Sequence, residues 1–272
     1  MPALCLADGA VTYDVTGAGT PAILFIHGYS CSGNDWRLQV RDLSASHTCI
    51  TMDLRGHGRS GPASGDLTMA ALAADAIALL DALKIRSAVL AGHSMGTRIA
   101  LEAALQAPER VSGLVLVDGS KLEARPEAVR EEISAAIDEL GFAGWSEKNM
   151  SAMFLGGLAP ADREIIVQRA IALGAPMGLQ LYENMTAWDQ SRLALAIKQV
   201  ESPTSVIQST SILPGEARQR CFVDEAPNSP WLDAWRNQGR ANIVTLPQTG
   251  HFAMLEQPRQ VNKIICELIK QI

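Results

Sequence analysis

Short apolar runs alternate with amphipathic stretches along the first part of the chain. Residues 22–27, 48–52, 87–91 and 114–117 are each four to six consecutive, mostly apolar, β-favouring residues. Unbroken apolar strands, rather than alternating ones, predict a parallel sheet covered on both faces. Between them, residues 69–83 carry Met69, Leu72, Ala73, Ala76, Leu80 and Leu83 at offsets of three and four, the stripe of an amphipathic helix. Residues 97–106 read the same way and stop before Pro108. Strand–helix alternation of this kind predicts an α/β fold with right-handed crossovers.

The pattern changes at residue 121. Up to residue 200 there is no strand-like run, and residues 127–140, 146–155, 160–173 and 177–197 read as helices separated by Pro or Gly. A stretch of about eighty residues is too long for a plain crossover. Alternation resumes with strands over 205–208 and 242–246 and a last helix over 260–269. The expected architecture is a mostly parallel central sheet flanked by helices, with a helical insertion after the sixth strand. The core would comprise residues 1–120 and 201–272, and the helical subdomain residues 121–200.

Composition narrows the function classes. The 272 residues are 47% hydrophobic and 19% charged, as in a soluble globular protein long enough to bury a core without disulfides or metal. A net charge of −6 removes the basic excess that nucleic-acid binding needs. No apolar run approaches the ~20 residues of a membrane helix, so membrane insertion is not expected. Cys5, Cys31, Cys49, Cys221 and Cys266 are scattered and form no CxxC pair, so neither a disulfide framework nor a zinc site is expected. The first residues lack a basic segment followed by a long apolar one, so no secretory leader is expected and the expected location is the cytoplasm. No cofactor or metal is called for, and a homodimer is compatible with the sequence.

The chemistry centres on Gly92-His93-Ser94-Met95-Gly96, which follows one predicted strand and opens a predicted helix. G-x-S-x-G in that context is the signature of a serine carried on a sharp strand-to-helix turn. The turn lifts the hydroxyl above the strand ends, where open α/β sheets bind ligands. A serine needs a base. Of His27, His47, His57, His93 and His251, only His251 follows the last predicted strand and reaches the same sheet edge. His93 should point down inside the turn, and His27 should hydrogen-bond loop backbone. Backbone N–H groups of Met95, after the serine, and of Tyr29, in the turn His27-Gly28-Tyr29, are the candidates for holding an oxyanion.

These residues resemble those of the α/β-hydrolase fold superfamily. The resemblance rests on His27-Gly28-Tyr29-Ser30, Asp53-Leu54-Arg55-Gly56-His57-Gly58-Arg59-Ser60, Gly92-His93-Ser94-Met95-Gly96 and Gly250-His251-Phe252, in the family's order and over nearly the whole chain. It implies that the insertion is a cap over the active site, and that Asp53 and Arg55 are structural. Serine at position 94, where similar dehalogenases and epoxide hydrolases carry aspartate, points to the esterase branch. The family's usual Asp after the strand that follows the cap is missing from 208–216. Asp118, at the end of the preceding strand, is the first replacement, because a strand end holds a carboxylate rigidly. Glu216, Asp224, Glu225 and Asp233 are the others.

From the cap, Met153, Phe154, Tyr182, Met185 and Trp188 are candidate substrate contacts. Tyr182, Met185 and Trp188 share one helical face, a stripe that also fits core packing. Asp189 fits either a solvent-facing position or a tie between cap and core, and Trp231 and Trp235 fit either a pocket wall or packing. The expected activity is hydrolysis of carboxylic esters of small to medium, mostly apolar substrates through an acyl-enzyme. Ser94, His251 and Asp118 would be the catalytic residues. Cleavage of an amide, lactone, thioester or carbon–carbon bond, or a binding role with a vestigial triad, are the alternatives.

Overall fold

A computed structural model describes residues 2–212, 220–226 and 229–272. Its strands are β1 (Ala3–Leu6), β2 (Gly9–Thr16), β3 (Ala22–Ile26), β4 (Cys49–Asp53), β5 (Ala88–His93), β6 (Val111–Val117), β7 (Thr204–Gln208), β8 (Thr210–Ile212), β9 (Arg220–Phe222) and β10 (Asn242–Thr245). Eight of them form one sheet in the order β1-β2-β4-β3-β5-β6-β7-β10, while β8 and β9 pair as a separate antiparallel ribbon. From β4 to β10 every neighbouring pair is parallel. Antiparallel pairing is confined to one edge, where β2 runs against both β1 and β4.

The parallel strands were legible as apolar runs because β3, β4 and β5 are buried at every position. Their side chains on both sheet faces meet helices, so no alternation survives. Flanking the sheet are α1 (Arg37–Leu43), α2 (Met69–Ala82) and α3 (Met95–Gln106), with the short α9 (Ala253–Glu256) and α10 (Pro258–Ile269) following β10. α2 packs on α3, and α1 on α10. None of the helices among the described residues is long and apolar enough to cross a membrane.

Between β6 and β7 lie α4 (Pro126–Ser151), α5 (Pro160–Leu173), α6 (Ala175–Ser191) and α7 (Leu193–Gln199). α4 is interrupted at Gly141, which adopts φ 69° and ψ 160°. The two helices predicted for 127–140 and 146–155 therefore meet end to end across that break. The single helix predicted for 177–197 is two, divided at Arg192 with φ −123°. The helical layer is fastened to the core by ion pairs. From α5, Asp162 pairs with Arg37 at 2.8 Å and Arg169 with Asp35 at 2.7 Å. From α6, Asp189 pairs with Arg98 of α3.

Because β5, β6, β7 and β10 are parallel neighbours, their C-terminal ends fall along one edge of the sheet. The segments that follow them carry Ser94, Asp118, Ser209 and His251 respectively, so four stretches remote in sequence converge above the same edge.

Candidate active site

Ser94 joins β5 to α3 with φ 53° and ψ −114°, a conformation that side-chain-bearing residues rarely adopt. The surroundings hold it there. A Cβ on Gly92 would run into the Gly96 carbonyl, and one on Gly96 into the carbonyls of Ile26 and His27, so both positions require glycine. The Ser94 N–H donates to the Val117 carbonyl at 3.0 Å. Its own carbonyl accepts from the Thr97 N–H at 3.0 Å and the Thr97 hydroxyl at 2.7 Å. Met95 is the first residue of α3, where a backbone N–H has no helical acceptor. The turn after β3 passes close by: a Cβ on Gly28 would sit 3.0 Å from the Ser94 Cβ. That contact brings Tyr29 beside the elbow, where both line the same cavity.

His251 lines that cavity too, and its Nδ1 lies 2.6 Å from Asp118 Oδ2. Asp118 is fully buried and, like Ser94, has a positive φ, 47°. Its carboxylate is held on every side. Oδ1 accepts from the N–H groups of Ser209 and Thr210 at 2.8 and 2.7 Å, and Oδ2 accepts from the Thr210 hydroxyl at 2.5 Å. Arg220 Nη1 lies 3.6 Å from Oδ2 and donates to Thr210 Oγ1 at 2.8 Å. Burial alone would raise this carboxyl, but the His251 hydrogen bond, the charges of His251 and Arg220 and the Thr210 hydroxyl bring it down to about 2. It is therefore ionised at neutral pH and orients the imidazole. Burial, and then the charge of Arg220, lower His251 to about 4 against the opposing pull of Asp118. His251 is neutral at pH 7, the state in which an imidazole can accept a proton.

His93 does not simply turn away beneath the elbow. Its Nε2–H donates to the His251 carbonyl at 2.9 Å, and the two rings lie 4.7 Å apart. The residue before Ser94 thus anchors the loop that carries His251. His27 behaves as expected: its Nδ1–H donates to the Gly28 carbonyl at 2.8 Å and its Nε2 accepts from the Leu54 N–H at 3.0 Å. Asp53 is a loop clamp, accepting from Gly33 N–H at 2.7 Å and from the Arg59 backbone N–H and Nε at 2.9 and 2.8 Å. Arg55 makes a bidentate pair with Asp75, both bonds 2.6 Å.

Of the other candidate acids, Asp224 bonds Gln248 and Asp233 pairs with Arg236, both near the surface. Glu225 sits in the turn after β9, and Glu216 lies outside the described residues.

The cavity takes in about 550 Å³ of space, part of it open to solvent. Met153, Tyr182 and Met185, expected as substrate contacts, are among the residues that line it. Phe154 and Trp188 do not, and their expected role as substrate contacts is corrected. Phe154 stacks on Phe252 at 5.8 Å and under Arg163 at 5.7 Å. Trp188 points into the core, where its Nε1–H donates to Glu102 Oε2 at 2.8 Å. Helical spacing placed Tyr182, Met185 and Trp188 on one stripe, and the stripe runs from the cavity wall at one end into the packing at the other. Trp231 and Trp235 are packing residues, edge to face at 5.8 Å, in α8 (Pro230–Gln238). Asp189 is the tie: Arg98 donates to both its oxygens, at 2.8 and 2.6 Å. Sequence reasoning missed several cavity residues, Leu122, Met150 and Ile212 among them, and both of the charged ones, Arg98 and Arg220. Arg98 sits at the fourth position of the helix after the serine, a placement readable from the motif. Arg220 lies in a strand of three residues that no periodicity marks.

The model of the alpha/beta hydrolase family matches residues 23–264. The chain belongs to that family. Among curated relatives, it is 26% identical over 278 residues to the dihydrolipoyllysine-residue acetyltransferase component of the acetoin cleaving system of Pseudomonas putida, covering 95% of this chain and 66% of that protein. It is 46% identical over 110 residues to an epoxide hydrolase of Caballeronia sordidicola, covering 39% of this chain and 33% of the relative. The chain thus spans less than two thirds of the length of either. A thermophilic esterase from Thermogutta terrifontis shares the fold, with a TM-score of 0.77, 23% identity, and coverage of 100% of this chain and 99% of the esterase.

Proposed function

We propose that this alpha/beta hydrolase is a serine hydrolase that cleaves carboxylic esters. One observation carries the reading: Ser94, held at a strained φ at the head of α3, shares a cavity with His251, whose Nδ1 is fixed by a buried, ionised Asp118. In this reading, Nδ1–H faces Asp118, which leaves Nε2 as the acceptor. Ser94 Oγ attacks the ester carbonyl as Nε2 takes its proton. The N–H groups of Met95 and Tyr29, with the positive end of α3, stabilise the oxyanion. The imidazolium returns the proton to the leaving alcohol, and water then cleaves the acyl-enzyme by the same route in reverse.

Met150, Met153, Met185 and Phe252 give the cavity an adaptable apolar wall, which supports small to medium acyl or alcohol groups. Residues 121–200 act as the cap of this site and the remainder as the catalytic domain. We assign the protein to the cytoplasm, in keeping with cysteines that are all unpaired. The test is hydrolysis of short p-nitrophenyl esters by the protein and by Ser94→Ala, with fluorophosphonate labelling of Ser94. The proposal requires turnover and labelling by the first and neither by the second.

A further inference from the structure

Two arginines line the cavity that Ser94 lines, and both are buried, Arg98 at 1% and Arg220 at 8% exposure. Their circumstances differ. Arg98 is neutralised by Asp189, to which Nε and Nη2 donate, and Nη2 also donates to the Ser120 carbonyl at 2.9 Å. Arg220 makes one hydrogen bond among the described residues, from Nη1 to Thr210 Oγ1. The carboxylate beside it, Asp118, is 3.6 Å away, and its two oxygens are already taken by Ser209, Thr210 and His251.

A guanidinium presents five N–H donors in a planar fork, and burying it with one of them engaged is costly. The cost is visible in Arg220 itself, since burial pulls its pKa below the usual arginine value. A ligand carboxylate could accept, two at a time, from the donors that no described residue engages. The rest of the wall, Met150, Met153, Met185, Ile212 and Phe252, suits a short apolar spacer between that carboxylate and the reacting carbonyl.

We propose that Arg220 is an anion-recognition residue, and that the substrate is a half-ester of a short dicarboxylic acid, its free carboxylate on Arg220 and its ester carbonyl at Ser94. This deepens, and rests on, the serine-hydrolase reading. The presence of the two residues in one cavity points to the class of substrate: an acyl chain that ends in a carboxylate rather than a methyl group. Specificity then comes from charge pairing at one end of the cavity, and the methionines tolerate variation in the chain between.

The experiment compares mono-p-nitrophenyl glutarate with p-nitrophenyl valerate, esters of equal acyl length that differ in the terminal carboxylate. For the wild-type protein we expect kcat/KM to favour the half-ester by roughly 10- to 100-fold, the scale of a charge-assisted, bidentate contact. Arg220→Met should bring the ratio close to unity, chiefly through KM for the half-ester, with free glutarate losing its competitive inhibition. Arg220→Lys, which keeps the charge and loses the fork, should fall between, and it carries the comparison if Arg220→Met does not fold. Equal turnover of the two esters by the wild type, or an unchanged ratio in the variants, overturns the proposal while leaving the hydrolase reading intact. Failure of the wild type to exceed Ser94→Ala on either ester is the distinct outcome that removes the hydrolase reading.

Discussion

The side chains of His251 and Asp118 meet at 2.6 Å across 133 positions of sequence. The contact closes because β6 and β10 both lie parallel to β7 and flank it, so the segments after them emerge at the same sheet edge. In the proposed mechanism it gives Asp118, at the end of β6, the part of the acid that orients the base. Asp118→Asn keeps the shape but donates an N–H where an acceptor is needed, and so favours the wrong tautomer of His251. We expect kcat on p-nitrophenyl esters to fall by on the order of 10³–10⁴, with circular dichroism unchanged. A variant within tenfold of wild type would remove Asp118 from the catalytic role.

Activity should persist to unusually low pH. Burial, and after it the positive charge of Arg220, lower His251 to about 4, so the base form dominates from pH 5 upward. The acid limb of kcat/KM should therefore be centred near 4, with a plateau through pH 6–8. Removing the Arg220 charge relieves one of the lowering causes, so Arg220→Met should move that limb upward. A wild-type limb centred near the ordinary histidine value of about 6.5 would contradict the geometry.

Much of this site was legible in the chain itself, for a physical reason. Ser94 and its glycines occupy a strained turn that admits few alternatives, and a constraint that tight leaves a local motif. The buried parallel strands announce themselves as apolar runs for the same kind of reason. Elements that answer to long-range contacts leave less. β1 and β2 lie at the sheet's edge with many positions half-buried or exposed, so they carry no apolar run. β8 and β9 are three residues each, too short for any periodicity, yet they deliver Thr210 and Arg220 to Asp118. Trp188 shows the limit of helical spacing, which assigns a face to a residue but not what that face meets. Its neighbour on the stripe, Met185, reaches the cavity, while Trp188 meets Glu102.

The elbow glycines should be intolerant of a methyl group in proportion to what the methyl meets. At Gly96 it would strike the backbone carbonyls of Ile26 and His27, which sit in the central strand and its turn and cannot give way. Gly96→Ala should cost about 2–4 kcal/mol. Gly61 has nothing within 4 Å of a Cβ, but at φ 71° and ψ −171° it occupies a region nearly reserved for glycine, so Gly61→Ala should cost about 1–3 kcal/mol of backbone strain, less than Gly96→Ala. Urea denaturation of the two variants checks the ordering, which a reversed result would overturn.

Arg98 and Asp189 hold α3 to α6 through a pair with side-chain exposures of 2% and 0%. Burial raises the Asp189 carboxyl despite its partner, a sign of how dry the contact is. Asp189→Ala leaves a guanidinium without its counter-charge and takes the acceptor from the Leu122 N–H, which lies 2.7 Å from it. A loss of about 3–5 kcal/mol is expected. Arg98→Met with Asp189→Leu removes both charges and should recover most of that stability, which a double-mutant cycle measures. If the double variant is as unstable as Asp189→Ala, the pair contributes by shape rather than by charge.

Acid should weaken the fold in two windows. Burial lowers His27 to about 4, and His57 and His93 to about 3, against an unfolded value of about 6.5. Above pH 6.5 these rings are neutral in both states and stability does not change on their account. As pH falls below 6.5 the unfolded chain takes up protons that the native rings refuse, so stability declines until the native rings titrate near pH 4 and 3. Asp118 acts lower down: its native value of about 2 stabilises the fold above the unfolded carboxylate value near 3.8, and that contribution disappears as pH falls from 3.8 to 2. Thermal melts should show a Tm nearly constant from pH 8 to 7 and falling steadily from pH 6.5 to 4.5. His57→Gln, which removes one of the rings that burial keeps neutral, should flatten part of the slope. A Tm that does not change between pH 7 and 5 would mean that these histidines are hydrated in the native protein rather than buried.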